Sequence, residues 1–336
     1  MVTRDRVLGM FLGIAIGDAL FMPVETFSKD EIASRFGRIT DYITPPNDHR
    51  WFAGKEAGTW TDDTELTLAI ADSLIECGRI DMNSITERHV LAYLADPTLG
   101  YGCSTTAGIK NLIAGKLWSV SGISDNPKRG SGNGLPMKVA PIGAYLCSLV
   151  RQQSELTEAE FVRNITDLTL MTHYTKMAVQ SALTHIQAIL FCLCTTSNRF
   201  DKEFFVLQLL YAARLATEGN KSEDNLLERI VELSNSNLDW SPEAISERYG
   251  QGSCYVYNSL PFSYAFFLRN PTSIETLYDV GNAGGDTDTN ASIVGGMLGA
   301  LNGTAIFPNH LIEGLKQKER ILQTAERFCQ KFEITD

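Results

Sequence analysis

The sequence predicts an all-α fold, a single mostly helical domain over residues 1–336, and three observations carry that expectation. Helix start signals recur along the chain, apolar residues repeat at helical spacing, and alternating strand-like patterns are scarce. With 44% hydrophobic and 21% charged residues, the chain has enough apolar side chain to bury a large core.

From the N-terminus, Arg4 and Arg6 precede an apolar run from Val7 to Ile16 that superficially resembles a secretory signal. Gly9, Gly13 and Gly17 recur every fourth residue, which on a helix forms a smooth stripe where a second backbone can pack, so a core helix is expected instead. No other apolar run is expected to reach the roughly 18 to 20 residues that cross a bilayer, and a soluble protein is expected. Ser28 with Glu31, Ser84 with Glu87, Thr157 with Glu160 and Thr272 with Glu275 have capping-box spacing, each predicting a helix just downstream. Residues 42–59 read as a loop. Leu66, Ile70 and Leu74 then define a helix, as do Phe161, Ile165 and Leu168, while residues 119–136, rich in glycine and proline, read as a long functional loop. Cys192-Leu-Cys194 lies in an apolar run and reads as core. Ser241-Pro242 supplies a cap followed by proline at the first helical position.

Charge narrows the function. A net charge of −11 and a pI near 5.0, with no basic stripe, give no electrostatic reason to expect nucleic acid. Seven cysteines without a paired framework read as reduced thiols, which suggests a cytoplasmic protein.

Three acidic clusters carry the chemistry: Gly17-Asp18-Ala19 with Glu25, Thr61-Asp62-Asp63-Thr64, and Gly284-Gly285-Asp286-Thr287-Asp288-Thr289. Asp62-Asp63 and Asp286/Asp288 each precede an apolar helical pattern, so each cluster reads as a loop delivering acids to a helix N-terminus. Helix capping and dipole stabilisation, about 0.3–1 kcal/mol per charge, account for one acid per helix but not for pairs. Converging carboxylates would repel one another unless cations neutralise them. Hard oxygen donors without neighbouring His or Cys favour Mg²⁺ or Mn²⁺ over Zn²⁺, and the ligand count suits two ions. Gly284 and Gly285 allow a tight turn before Asp286.

These clusters, in their order, resemble the ADP-ribosylglycohydrolase family, which includes dinitrogenase-reductase-activating glycohydrolases and ADP-ribosylarginine and ADP-ribosylserine hydrolases. The resemblance runs nearly end to end. It rests on Gly17-Asp18-Ala19-Leu20 with Glu25, Gly58-Thr59-Trp60-Thr61-Asp62-Asp63-Thr64, Gly132-Asn133-Gly134 with Met137, Thr172-His173, Gly284 to Thr289, and then Gly295, Gly299 and Pro308. It implies an orthogonal multi-helix bundle with a two-metal site in a central cleft. By the same resemblance, Thr61, Asp62 and Asp63 are ligands of one metal, Asp286 and Thr289 of the other, and Asp288 lies between them. Glu25 is the acid that gates the site or activates water, and Glu25, Asp62 and Asp63 all remain open as the proton acceptor. Ser131, Gly132, Asn133, Gly134 and Met137 are similar to the family's diphosphate loop, and His173 to a histidine lining the ADP-ribose pocket.

The chain departs from the family pattern at Phe21, where a glycine is common, at Lys138, which replaces a frequent arginine, and over residues 174–176. Phe21 is expected to narrow the cleft near Glu25. The function implied is metal-dependent release of ADP-ribose from proteins, ADP-ribosylarginine first among the acceptors, by a monomer. A non-catalytic ADP-ribose-binding module and a two-metal phosphohydrolase acting on a nucleotide diphosphate are the alternatives.

Overall fold

A computed structural model describes residues 2–126, 129–152, 156–216 and 224–336. Among them every regular element is helical, and the only β pairings are isolated bridges between Ser28 and Gly284 and between Gly132 and Tyr255.

The centre is an antiparallel pair, α1 (Arg4–Phe21) against α15 (Thr287–Asn302), with 15 residues of each helix buried. Gly9 meets Gly299, Gly13 meets Gly295 and Gly17 meets Ala291, backbone to backbone; a Cβ added at Gly9 would lie 2.7 Å from the Gly299 carbonyl oxygen. The four-residue glycine spacing therefore sets how closely the two helices approach. That approach holds the C-terminal end of α1 beside the first turn of α15, where the acids are.

Between the paired helices run α2 (Lys29–Phe36), α3 (Asp62–Cys77), α4 (Met82–Ala95), α5 (Cys103–Ile113), α6 (Trp118–Ser121), α7 (Ala140–Arg151), α8 (Glu158–Leu170) and α9 (Lys176–Cys194). Then come α10 (Lys202–Arg214), α11 (Leu226–Glu232), α12 (Pro242–Arg248), α13 (Val256–Arg269) and α14 (Glu275–Gly281), and after α15, α16 (Asn309–Gly314) and α17 (Lys318–Lys331). One apolar cluster extends from Val2 to Ile334 through α1, α7, α9, α13 and α15. Leu66, Ile70 and Leu74 are fully buried on α3, and Ile165 and Leu168 on α8.

Three of the five start signals open their helices. Ser28 and Thr157 form complete capping boxes with Glu31 and Glu160, and the Ser241 side chain accepts from the Ala244 N–H ahead of Pro242. Two do not. The carboxylate of Asp81 accepts from the Ser84 N–H at 3.1 Å, so α4 starts at Met82, and Ser84 is its third residue. Thr272 is held in a turn by Asn270, and α14 starts only at Glu275.

Further corrections concern α6, α9 and Phe21. Residues 119–121 belong to α6, so the long loop starts at Gly122, and its residues 127 and 128 lie outside the described residues. The 19-residue α9 is, like α1, long and apolar enough to cross a membrane, contrary to the expected absence of a second such run; 83% of it is buried among the other helices. Phe21 does not narrow the cleft: its ring is fully buried in the core against Gly281, where any side chain would collide with it.

Candidate metal centre

Two helix N-termini face each other across the end of α1. Thr61 caps α3 and Asp62 and Asp63 are its first two residues; Asp286 caps α15 and Asp288 is its second residue. On α3 the cap is the Thr61 hydroxyl, which accepts from the Asp63 N–H at 3.4 Å, and on α15 Asp286 makes no side-chain cap hydrogen bond. The Asp288 carboxylate accepts from the Thr289 N–H at 2.8 Å, so capping accounts for one acid at the α15 end and leaves Asp62, Asp63 and Asp286 unexplained.

Asp18, on the last turn of α1, organises the α3 end. Its carboxylate accepts from the N–H groups of Thr61 and Thr64 at 2.9–3.1 Å and from the Thr64 hydroxyl at 2.6 Å. Sequence reasoning placed Asp18 in an acidic cluster without giving it this task. Glu25 is delivered by another route. The 3₁₀ turn after α1 ends on it, and the next residue, Thr26, takes a left-handed backbone (φ 69°) while its N–H donates to the Gly285 carbonyl at 2.7 Å. Gly285 N–H donates in return to Phe27 at 2.9 Å, and both Gly284 and Gly285 have positive φ, as the turn before Asp286 requires.

The result is two triads that share Asp288. Carboxylate oxygens of Asp18, Asp63 and Asp288 lie within 4.8 Å of one another, as do those of Glu25, Asp286 and Asp288. The Thr61 and Thr289 hydroxyls both donate to the same oxygen of Asp63, at 3.3 and 3.2 Å, joining α3 to α15. Asp62 stands apart from both triads, its N–H bonded to the Leu99 carbonyl at 2.9 Å.

Burial and then mutual repulsion push Asp62 to about 8 and Asp63, Asp288 and Glu25 well above the carboxylate range, while burial alone raises Asp18 to about 6 against the hydrogen bonds from Thr64 and Thr61. One buried cation faces them. Lys138 is fully buried with no hydrogen-bond partner on its ammonium; burial lowers it to about 8 against the attraction of Asp62. One buried ammonium cannot neutralise six carboxylates, so without a further cation the acids are driven to hold protons. The Oδ2 of Asp62 and the Oδ1 of Asp63 are buried without a hydrogen-bond partner, and a buried acceptor in that state requires a partner from solution. Orphaned hard oxygens, with no imidazole or thiol in either triad, fit Mg²⁺ or Mn²⁺.

The glycine loop lies alongside. The Asn133 side-chain amide donates to Asp286 Oδ2 at 2.8 Å and to Ser259 at 3.1 Å, so this residue braces an acid of the cluster. The loop is clamped to residues 254–256 by Asn133 N–H to Cys254 (3.0 Å) and Val256 N–H to Ser131 (2.9 Å). Gly130 donates its N–H to Ser104, whereas those of Ser131, Gly132 and Gly134 donate to no acceptor among the described residues. His173 lies under the loop: a Cβ at Gly134 would fall 2.7 Å from its ring, and burial holds the imidazole neutral, lowering it to about 3. Met137 packs its side chain with Leu66, Ala92 and Tyr101. His49, which carried no signal in the sequence, stacks between Phe27 and Phe52 and reaches the Glu25 carbonyl at 3.3 Å.

Two cavities of about 550 and 530 Å³ lie elsewhere, one lined by Thr59, Trp60, Glu65 and Arg320 and one by Trp240, Arg269 and Asp279. Neither gathers the acids, so the site is assigned on the convergence of carboxylates and not on cavity size.

Known proteins match the chain over nearly its whole length. A model of the family described as ADP-ribosylglycohydrolase matches residues 1–336. The chain is similar to the ADP-ribosyl-[dinitrogen reductase] glycohydrolase of Rhodospirillum rubrum, 27% identical over 317 residues that cover 94% of this chain and 92% of that one. It is also similar to ADP-ribosylhydrolase ARH3 of Mus musculus, 25% identical over 359 residues, 97% and 92% of the two chains. A solved structure described as an ADP-ribosylglycohydrolase-related protein complex shares the fold with a TM-score of 0.72 over 98% of each chain, at 23% identity.

Proposed function

Because this chain belongs to the ADP-ribosylglycohydrolase family and is a hydrolase that releases ADP-ribose from proteins, we propose that it does so with two divalent cations and with ADP-ribosylarginine as its preferred substrate. The observation that carries the metal reading is the pair of carboxylate triads sharing Asp288.

Asp63 from one triad and Asp286 from the other would each hold an ion, with Asp288 common to both, and the family resemblance adds Thr61 and Asp62 to the first ion and Thr289 to the second. Bound Mg²⁺ or Mn²⁺ would orient the ribose hydroxyls and a water, and the surrounding carboxylates would offset the positive charge as the glycosidic carbon gains oxocarbenium character. The protein's own part begins with the loop. The free N–H groups of Ser131, Gly132 and Gly134 are placed to meet diphosphate oxygens, and the neutral ring of His173 supports them from below. Asn133 keeps Asp286 turned towards the cluster. Glu25, half-buried and gathered with Asp286 and Asp288, is the acid most open to solvent, and we assign its carboxylate oxygen to take the proton of the attacking water. The net charge of −11 supports an acceptor whose modified side chain is cationic, and ADP-ribosylated arginine is one. The seven unbridged thiols and the net charge of −11 support a cytoplasmic monomer acting on modified proteins, with no role for nucleic acid.

The test uses two matched peptides, ADP-ribosylated on arginine or on serine, incubated with Mg²⁺, Mn²⁺ or EDTA, with products read by mass spectrometry. Faster metal-dependent release of intact ADP-ribose from the arginine peptide is expected. Preference for serine would overturn the acceptor, release in EDTA would overturn the metal dependence, and AMP with ribose 5-phosphate would move the chemistry to the diphosphate.

A further inference from the structure

Away from the acids, two thiols touch. Cys147 lies in the last turns of α7 and Cys194 is the final residue of α9, and their sulfurs are 3.4 Å apart without a bond between them. The two differ in access. Cys147 is buried and Cys194 is exposed, so a small oxidant in water reaches Cys194 first.

They differ in ionisation as well. A helix C-terminus normally opposes a thiolate, since its unpaired carbonyls carry partial negative charge. Here Arg6 neutralises that end: its guanidinium donates to the carbonyls of Cys192 and Thr195, on either side of Cys194. The hydrogen bond with Cys147 foremost, working against burial and helped a little by nearby positive charge that includes Arg6, brings the Cys194 thiol down to about 7, while the same contact and burial hold Cys147 well above the usual thiol range. An exposed thiolate with a buried thiol in contact is the arrangement of an attacking and a resolving cysteine.

We propose that Cys147 and Cys194 are a modification site at which a hydroperoxide forms a reversible disulfide. The Cys194 thiolate attacks a peroxide oxygen; the O–O bond breaks, Cys194 becomes a sulfenic acid, and the departing hydroxide takes a proton and leaves as water. Cys147, giving up its proton, then attacks the Cys194 sulfur; the S–O bond breaks, the S–S bond forms, and a second water leaves. Two thiols lose two electrons in total and one hydrogen peroxide is reduced to two waters.

The position gives the bridge a structural consequence. Helix α7 starts just after the glycine loop and Lys138, and α9 just after His173 and Thr175. The disulfide would therefore lock together the far ends of the two helices that carry the loop and the histidine beneath it. Oxidation is expected to stiffen this pair and raise the melting temperature.

The experiment treats the full-length protein with stoichiometric hydrogen peroxide, blocks remaining thiols with a maleimide, and maps tryptic peptides with and without dithiothreitol. A linked Cys147–Cys194 peptide, loss of two of seven thiols and a raised melting temperature, all reversed by dithiothreitol, are the expected results. In Cys147→Ser the reaction stops at a sulfenic acid on Cys194 that dimedone traps, and in Cys194→Ser the pair does not react. Oxidation confined to Cys103 or Cys254, the other exposed thiols, or over-oxidation of Cys194 in the wild type with Cys147 still alkylated, overturns the proposal. The wild-type map decides the matter even if either variant fails to fold.

Discussion

The Asn133 side chain donates to Asp286 Oδ2 at 2.8 Å, so the loop assigned to the diphosphate and the acids assigned to metal are one hydrogen-bonded unit. Partners that orient a ligand carboxylate typically govern metal affinity or activity by about 10–100-fold. Asn133→Ala is therefore expected to weaken Mg²⁺ or Mn²⁺ binding and kcat/KM together, each by roughly that range. Isothermal titration with metal, set beside steady-state rates, checks it; loss of substrate affinity with metal binding unchanged would separate the two sites.

Asp288 belongs to both triads, and its removal has opposite effects with and without metal. In EDTA, Asp288→Asn deletes one of six crowded carboxylates and should raise the melting temperature. In saturating metal the same variant should lose the metal-induced stabilisation and at least about 100-fold in turnover, the scale on which a single charge-stabilising group is felt. Circular dichroism should be unchanged. Wild-type turnover would rule out a shared ligand here.

The same crowding sets a pH dependence. Asp62, Asp63, Asp288 and Glu25 bind protons more tightly in the folded state than unfolded, through burial first and neighbouring carboxylates second. Their contribution to stability is complete below about pH 4 and lost as pH rises, for Asp62 through about 8. In EDTA the melting temperature should therefore fall from pH 6.5 to 8, and saturating Mg²⁺ should abolish the trend by standing in for the protons. Buried His173 and His185, lowered to about 3, act in the opposite sense, losing stability as pH falls from about 6.5 towards 3, so they add no slope in the chosen window. Cys194, at about 7, would add a slope of opposite sign, and thermal scans on Cys194→Ser remove it.

What was legible beforehand follows from which interactions are local. Ser28, Thr157 and Ser241 cap helices within four residues, and the spacing shows it. Gly9, Gly13 and Gly17 announced a close helix contact, but not that Gly299, Gly295 and Ala291 would complete it, because the partner lies some 280 residues away. The acids were conspicuous by type and clustering. Their supports were not: Asp18 braces α3 across 43 to 46 residues and His49 meets the Glu25 carbonyl through a loop of irregular conformation. Phe21 lies in the core for a similarly non-local reason. A bulky residue next to a site in sequence turns with the helix, and here the ring enters the core against Gly281.

Thr26 offers the sharpest test of Glu25. A β-branched residue with φ of 69° is strained, by about 1–3 kcal/mol, and persists only when its surroundings over-determine it. Here the Thr26 N–H is held by Gly285 and the Glu25 carbonyl by His49, which together fix where the Glu25 carboxylate stands beside Asp286 and Asp288. Thr26→Gly relieves the strain and adds about 0.5–1 kcal/mol of unfolded-state entropy to be lost on folding. The net expectation is a neutral to stabilising change, by up to about 2 kcal/mol in urea unfolding. Turnover should move the other way, because a glycine lets Glu25 leave its position, and kcat should fall with little change in metal affinity. A variant that gains stability and keeps full kcat would show that the strained turn places nothing the reaction needs.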